Sequence, residues 1–422
     1  MRLRITTPRT TSPTLILASI CLLVSCNRTK IVEPTSTESA STESVSTESV
    51  STEAAPVPKD VEAMRDEATS ALGNGDHKAA IRIIREAVRQ APDDAANIFM
   101  MATILSSQHR YHEAIQMLDQ FAEQTPEAKL PVLGQTAEWL VMQGAWDSAE
   151  ARYRQVIEYV PDAAMVHRPL AHLLLRQGRR VEAGVHLQVL CRLGDVREEE
   201  LRTLLSVSQP LDENHNPETD EPIGVLGEAW SLVSRQQMSA AIDLLLPEAK
   251  RSVAAYGLLG RIHVERDDAK TLSTWWDGIA QPEWATAPEL QLAIGAYRFS
   301  KQQYAEAKIA LQLAVQYDPT DFQAYSILAK TLDAEGDEAG SRVSEERSRQ
   351  LKRTQQLAVL IKSRRDDTTS LIQEIIDSLD SLQRPFESLS WQVLYVVYRS
   401  DWNDDVKEKR IMEINAKRLQ LL

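Results

Sequence analysis

From residue 61 onward, apolar residues recur every three or four positions in segments of about a dozen residues, the pattern of amphipathic helices. In the stretch TAEWLVMQGAWDSAEARYRQVIEYVP, two such segments flank Gly144, and Pro161 follows the second. Glycine permits a tight turn and proline ends a helix, so this stretch predicts two helices joined by a short turn. The chain is therefore predicted to form a series of helical hairpins.

The hairpin pattern repeats with a fixed period. The prolines Pro92, Pro126 and Pro161 stand 34 and 35 residues apart. Two sets of alanines keep the same spacing: Ala68, Ala102, Ala137 and Ala171, and Ala80, Ala114, Ala149 and Ala183. Small alanines let neighbouring helices approach closely, and one period accommodates two helices and a turn. These positions predict a stack of repeated units.

This pattern resembles the tetratricopeptide repeat, with its two small residues, its buried apolar residue and its final proline. The buried apolar position is filled by Ile84, Leu118, Tyr153 and Leu187. The segment KQQYAEAKIALQLAVQYDPTD fits the pattern again, through Gly295, Ala307, Leu311, Ala314 and Pro319. The resemblance covers most of residues 61–350 and implies an all-α solenoid of helix-turn-helix repeats. Two units between Val225 and Trp284 are degenerate, and the pattern leaves their register open.

The first 25 residues have the character of a secretory signal. Three arginines precede an apolar run that ends at Val24, too short for a permanent membrane helix. Leu23-Val24-Ser25-Cys26 resembles the lipobox of bacterial lipoproteins, in which the cysteine carries a diacylglyceryl group. The resemblance implies lipidation of Cys26, while an ordinary cleaved signal is the alternative. Asn27 is not the aspartate that retains some lipoproteins at the inner membrane, which favours the outer membrane.

A low-complexity segment follows, with the repeated unit STESA-STESV-STESV-STEAA. Such a composition cannot bury enough apolar surface to offset the entropy of ordering. Residues 26–60 are therefore predicted to be a lipid-anchored disordered linker. The remaining boundaries are predicted as a tetratricopeptide array at 61–208, an acidic hinge loop at 209–222, a second array at 223–350 and a helical capping region with a divergent repeat at 351–422.

Charge and cysteine content restrict the function. The formal net charge is −14, which argues against nucleic acid and anionic lipid surfaces as main partners. Besides Cys21 and Cys26, the chain has only Cys191, so no disulfide within the folded part is expected. No nucleophile elbow, phosphate loop or paired metal helix is present. The sequence predicts no enzyme activity and no cofactor.

Three features compete with a pure scaffold. His109-x-x-His112-Glu113 imitates part of a metal site, but the repeat register places it at an exposed turn. The loop at 212–220 imitates half of a calcium loop, but Pro217 stands where glycine should permit the sharp turn, so an acidic hinge is favoured. Trp275, Trp276 and Trp284 could form a carbohydrate platform, but packing between repeats is favoured.

In tetratricopeptide proteins the first helices of the repeats line a groove that holds peptides or helices. Carried onto the fourth unit, the groove positions include the basic stripe Arg168, His172 and Arg176, which could grip an acidic partner segment. The alternative is that these residues are solvated or pair with acids of the chain. The neighbouring groove positions are Phe99, Thr103, Ser106, Glu138 and Met142.

These observations together predict a lipid-anchored, periplasm-facing scaffold of the bacterial cell envelope that binds a protein partner in a concave groove. Its plan is similar to that of lipoproteins with tetratricopeptide repeats that help assemble envelope complexes. Two alternatives stay open: a metal-dependent binder or enzyme on a helical scaffold, and a structural spacer without a defined ligand.

Overall fold

The computed structural model describes residues 61–207, 221–278, 287–363 and 368–422. Within these ranges the chain forms twenty α-helices and no strand, which confirms the predicted all-α fold of helix-turn-helix repeats. No helix in the same ranges has both the length and the apolar character needed to cross a membrane. The predicted signal, the linker and most of the predicted hinge lie outside the described residues.

The described residues form two compact units, one ending at residue 156 and the other beginning at residue 157. The helices of the N-terminal unit are α1 (Val61–Gly73), α2 (His77–Gln90), α3 (Ala95–Ser107), α4 (Tyr111–Gln124), α5 (Lys129–Met142) and α6 (Trp146–Tyr159), whose last turn extends past the boundary. A short 3₁₀ turn, Pro126–Ala128, precedes α5. The pairs α1–α2, α3–α4 and α5–α6 correspond to three repeats.

The core of the N-terminal unit is built on the alanines that set the repeat period. Six of them have no exposed surface: Ala68, Ala80, Ala102, Ala114, Ala137 and Ala149. The apolar position of each second helix is also buried. It is occupied by Ile84, Leu118 and Tyr153. Because a methyl group is all that separates the backbones at the alanine positions, the helices of each pair pack closely.

A left-handed residue joins the two helices of each pair. In the first and third pairs it is Gly75 and Gly144, with φ of 77° and 76°, but in the second pair it is His109, with φ of 60°. The corresponding turn after residue 164 has Gly178, with φ of 76°. Later pairs use Gln236, Asp267, Gln302, Gly336 and Gln383. Five residues after each left-handed residue comes the small or apolar residue of the second helix that packs against the first. In the degenerate segment these residues are Ala241, after Gln236, and Leu272, after Asp267, and both are buried. The turn positions thus set the register that the repeat pattern left open.

The C-terminal unit contains fourteen helices within the described ranges. They are α7 (Ala164–Arg176), α8 (Arg180–Leu193), α9 (Glu198–Leu205), α10 (Gly224–Ser234), α11 (Met238–Glu248), α12 (Val253–Glu265), α13 (Ala269–Asp277), α14 (Pro288–Ser300), α15 (Tyr304–Tyr317), α16 (Phe322–Ala334), α17 (Glu338–Ser363), α18 (Thr368–Ser381), α19 (Pro385–Tyr398) and α20 (Asp404–Leu421). Helix α17, with 26 residues, is long and rich in charged side chains.

The pair α10–α11 stacks directly on α7 and α8. The backbone N–H of Ile223 donates to the carbonyl oxygen of Arg176 at 2.7 Å. Gly227 lies so close to the same carbonyl that a Cβ atom there would clash with it, and Trp230 covers Gly178. The repeat stack therefore continues past the predicted hinge, while α9 stands outside the repeat pattern.

The C-terminal helices return to α9. Arg384 at the start of α19 donates to the carbonyl oxygen of Leu204 at 2.7 Å, and the hydroxyl of Tyr398 donates to Glu198 at 2.8 Å. The backbone N–H of Val207 donates to the hydroxyl of Thr320, before α16, at 3.0 Å. Residues on both sides of the predicted hinge therefore belong to one compact unit. The boundaries predicted for the two arrays and the capping region stay a prediction.

Candidate functional site

Three of the predicted groove residues lie on α3, and all three are buried. Phe99, Thr103 and Ser106 are only 7%, 3% and 6% exposed. The Thr103 hydroxyl donates to the carbonyl oxygen of Phe99, and the Ser106 hydroxyl donates to that of Thr103. The helix sequence AANIFMMATILSS is apolar on almost every face, and such a helix is buried all round. Such burial does not favour an open groove at these three positions, and their contact with a partner stays a prediction.

The two predicted groove residues on α5 are accessible. Met142 is 61% exposed, and Glu138 is also exposed. Surrounding protein partly desolvates the Glu138 carboxyl group and raises its pKa, against a weak hydrogen bond from the Gln135 amide at 3.4 Å. The buried Tyr153 of α6 has a raised pKa, first through desolvation and then through the charge of Glu138. The Glu138 carboxylate makes no ion pair with any described residue.

Arg168 on α7 is held by acids of its own unit. Its Nε donates to Glu200 Oε1 at 2.7 Å, and its Nη2 donates to Asp195 Oδ1 at 3.1 Å. Burial alone would raise the pKa of Glu200, but His172, the guanidinium group of Arg168 and the backbone N–H of Arg197 outweigh burial and lower it to about 2. The arginine is thus a partly buried structural partner of α9.

His172 and Arg176, the other two residues of the basic stripe, also contact groups of the chain. The His172 side chain is 51% exposed, with Nε2 3.7 Å from Glu200 Oε1. Arg176 donates from Nε to the carbonyl oxygen of Glu221 at 2.8 Å. These contacts favour the alternative in which the stripe pairs with groups of the chain. Binding of an acidic partner by Arg168, His172 and Arg176 stays a prediction.

The residues weighed as metal ligands have other partners. His109 Nδ1 lies 3.2 Å from the Tyr111 hydroxyl, and Glu113 accepts two hydrogen bonds from Arg110. Across residues 61–207, 221–278, 287–363 and 368–422, no group of three or more His, Cys, Asp or Glu side chains has an arrangement that could hold a metal ion. The acidic loop at 212–220 lies outside the described residues.

Two of the three tryptophans proposed as a carbohydrate platform are engaged in packing. Trp275 is buried, stacks on Tyr256 with ring centroids 5.0 Å apart, and donates from Nε1 to the Tyr256 carbonyl oxygen. Trp276 stacks on Tyr297 at 4.4 Å, and the Arg298 guanidinium lies over the Trp276 ring. These contacts favour the packing interpretation. Trp284 lies outside the described residues.

Sequence reasoning missed a cleft in the N-terminal unit. It has a volume of about 770 Å³ and lies between α2 and α4, the second helices of two pairs. Apolar side chains line it: Val88, Ile98, Met101, Met117 and Phe121. The signal was present, because Met117, Gln120, Phe121 and Gln124 follow the i, i+3, i+4, i+7 spacing of one helix face. The family pattern assigns binding to the first helices of the repeats, so it gave no reason to expect a cleft between second helices.

A buried charge cluster in the C-terminal unit was also missed. Arg261 on α12 has no exposed surface and donates to Asp321 at 2.6 Å and to Glu265 at 2.9 Å. Burial and the charge of Asp321 raise the pKa of the nearby Asp318. The cluster fixes α12 to the start of α16. Arg261 occupies the same position in its repeat as His172 does, but the Arg261 side chain is buried, whereas the His172 side chain is half exposed.

Comparison with known proteins gives the class. Two family models described as tetratricopeptide repeat match residues 71–130 and 140–195. These matches bear out the predicted tetratricopeptide repeats over these residues. Such repeats typically serve protein-interaction scaffolds, which supports a protein as the partner.

The relatives are distant. An uncharacterized protein, y4yS, of Sinorhizobium fredii is 32% identical over 117 residues, 28% of this chain and 62% of that protein's own length. A tetratricopeptide repeat protein from Parabacteroides merdae matches 84% of this chain and 98% of its own, with 11% identity and a TM-score of 0.25. The Cut9–Hcn1 structure matches 86% and 79%, with 14% identity and a TM-score of 0.29.

Proposed function

We propose that the chain is a lipid-anchored scaffold of the bacterial cell envelope that binds a protein partner. The lipobox-like segment ending at Cys26 supports the anchor, since two or three acyl chains hold a protein at a membrane where one does not. The acidic linker that follows supports a tether between membrane and scaffold. Asn27 favours the outer membrane as the site of anchoring.

The observation that carries the binding half of the proposal is the exposure of Glu138 and Met142. Both stand at positions with which tetratricopeptide repeats contact peptides, and the structure leaves both accessible. An exposed, partly desolvated carboxylate beside a flexible thioether suits a partner that brings a hydrogen-bond donor and an apolar side chain. The basic stripe adds a second proposed contact, through the half-exposed His172, for an acidic partner segment.

Crosslinking capture from envelope membranes tests this proposal, using the native chain, Cys26→Ala, and a Glu138→Lys/Met142→Lys double variant. The matched control is Glu67→Lys, an exposed charge reversal on α1. Cys26→Ala should move the protein to the soluble fraction, and a density gradient on the native chain should place it with outer-membrane markers. The double variant should lose the captured partner, whereas Glu67→Lys should keep it.

Equal membrane association with and without Cys26 would contradict the anchor. Equal capture by the native chain and the double variant would contradict the role of Glu138 and Met142. A His172→Ala variant, read in the same capture, tests the acidic segment separately. The two halves of the proposal can therefore fail independently.

A further inference from the structure

The cleft in the N-terminal unit has an adaptable apolar floor. Ile98 and Met101 of α3 form its base, with Met117 and Phe121 of α4 on one side. Met117 is half-buried, and methionine side chains adjust to different apolar shapes because they are unbranched and polarizable. Its two walls are the second helices of neighbouring pairs, α2 and α4, so the cleft is separate from the first-helix groove positions.

The mouth of the cleft differs in charge from the chain as a whole. Arg85 and Arg89 stand on the α2 wall, whereas Gln120 and Gln124 on the α4 wall are neutral. Arg85 is exposed and makes no ion pair or hydrogen bond with any described residue, whereas Arg89 pairs with Glu86. Among the described residues, Asp93 is the one acid that lines the cleft. In a chain with a formal net charge of −14, two arginines over an apolar floor form a distinctive surface.

We propose that this cleft binds an acidic, amphipathic segment of the partner protein. The segment's apolar side chains would enter the floor between Met101 and Met117, and a carboxylate would pair with Arg85, whose guanidinium group can bind it through two hydrogen bonds. The inference rests on the proposed function for the premise that the ligand is a protein. It adds the chemistry of the segment and the place where it docks.

Direct binding to the full chain in detergent tests the proposal. The probe is a fluorescent peptide of roughly 18 residues with leucines at i, i+3, i+4 and i+7 and glutamates on the other face. A second peptide replaces every glutamate by lysine, and a third is the chain's own residues 33–53, used as a competitor. Arg85→Glu and Met117→Gln alter the cleft. Their matched controls are Arg82→Glu, exposed on the same helix, and Met165→Gln, exposed on α7.

The glutamate peptide should bind, and the lysine peptide should bind at least about tenfold more weakly. Arg85→Glu and Met117→Gln should each weaken the glutamate peptide by about tenfold, with unchanged thermal unfolding, while the two controls should not. Equal binding of the two peptides, or equal losses in the controls, would overturn the proposal. Effective competition by the 33–53 peptide would assign the cleft to the chain's own linker and also overturn it.

The result is separable from the proposed function. If the peptides fail to bind while membrane capture still recovers a partner that depends on Glu138, the cleft assignment is wrong and the scaffold stands. If capture fails but the glutamate peptide binds with the expected dependence on Arg85, the cleft assignment stands without that membrane partner.

Discussion

The guanidinium group of Arg168 is held by Glu200, whose Oε1 lies 2.7 Å from Arg168 Nε. The two residues belong to α7 and α9, and both are largely removed from water. Burying two charges is costly unless they are paired, so each residue needs the other. The pair converts a residue that the repeat pattern assigns to ligand binding into one that attaches α9 to the repeat stack.

Glu200→Gln should destabilise the chain in a pH-dependent way. The pKa of Glu200 in the folded chain is about 2, below the value of about 4.3 for an exposed glutamate. A lowered pKa means that the ionised carboxylate contributes stability above about pH 4.3 and loses it as the pH falls toward 2. The substitution should lower the free energy of unfolding by roughly 3 kcal/mol at pH 7 and by about half as much at pH 3.

Urea unfolding followed by far-ultraviolet circular dichroism at the two pH values measures this difference. The matched control is Glu182→Gln, which breaks the exposed pair with Arg179 and should cost less than about 1 kcal/mol. A Glu200→Gln effect of the same size at both pH values would show that the carboxylate charge is not its source.

Arg261→Met should destabilise the C-terminal unit strongly. The substitution removes the cation that faces Asp321 and Glu265 and leaves the buried Asp321 carboxylate and the partly buried Glu265 carboxylate without a counter-ion. Breaking a buried ion pair in this way costs roughly 3–5 kcal/mol. Thermal unfolding of the variant and of the native chain checks this.

Arg266→Met is the control for Arg261→Met, since Arg266 lies one turn further along the chain and is exposed. Its effect should stay within about 0.5 kcal/mol. Equal stability of the two variants would mean that the buried cluster does not need its arginine.

The repeat period was predictable because it is carried by short-range geometry. Positions where two helices touch require a small side chain. Ala68, Ala102 and Ala137 occupy such positions, and all three are completely buried. The buried state of Phe99 and Thr103 was readable in principle, since α3 lacks a polar face. The family pattern, which assigns those positions to a groove, hid that signal.

The partners of Arg168 and Arg261 could not be predicted from the repeat. Glu200 lies on α9, which has no counterpart in the repeat pattern, and Asp321 is 60 residues from Arg261 in the chain. Such pairs depend on how the C-terminal helices return to α9, a long-range arrangement that local periodicity does not record. The cleft between α2 and α4 was hidden for a different reason: its residues are ordinary amphipathic positions until two helices are placed side by side.

His109→Gly should stabilise the N-terminal unit. His109 occupies, with φ of 60°, the left-handed turn position that Gly144 fills one repeat later. Side chains with a Cβ atom are strained in this region, whereas glycine is not. The substitution should raise the free energy of unfolding by about 0.5–1 kcal/mol. Differential scanning calorimetry should show this as a higher midpoint for the unit.

The reverse exchange, Gly144→His, supplies the control. The nearest neighbour of a Cβ atom at Gly144 is the Trp146 ring, at an ordinary distance of 3.5 Å, so crowding is not the issue there. Gly144→His should therefore lower the midpoint by a comparable amount through backbone strain. If both exchanges lower it, the hydrogen bond between His109 and Tyr111 outweighs the turn geometry.

Gly227→Ala should disrupt the stacking of α10 on α7, whereas Gly134→Ala should not disturb α5. A Cβ atom at Gly227 would clash with the carbonyl oxygen of Arg176, which is backbone and already accepts the N–H of Ile223. Neither partner can move aside cheaply, so the cost should be about 2–3 kcal/mol. A Cβ atom at Gly134 has no neighbour within 4 Å, so alanine should be neutral or stabilising by up to about 1 kcal/mol.

Hydrogen exchange followed by mass spectrometry distinguishes local from global effects in this pair. Gly227→Ala should speed exchange in peptides from α7 and α10 first, because the repeat stack continues between these helices across the predicted hinge. Gly134→Ala should leave exchange in α5 unchanged or slower. If Gly227→Ala leaves both helices as protected as in the native chain, α10 does not dock on the end of α7, and the two arrays would be separated at the hinge as the sequence first indicated.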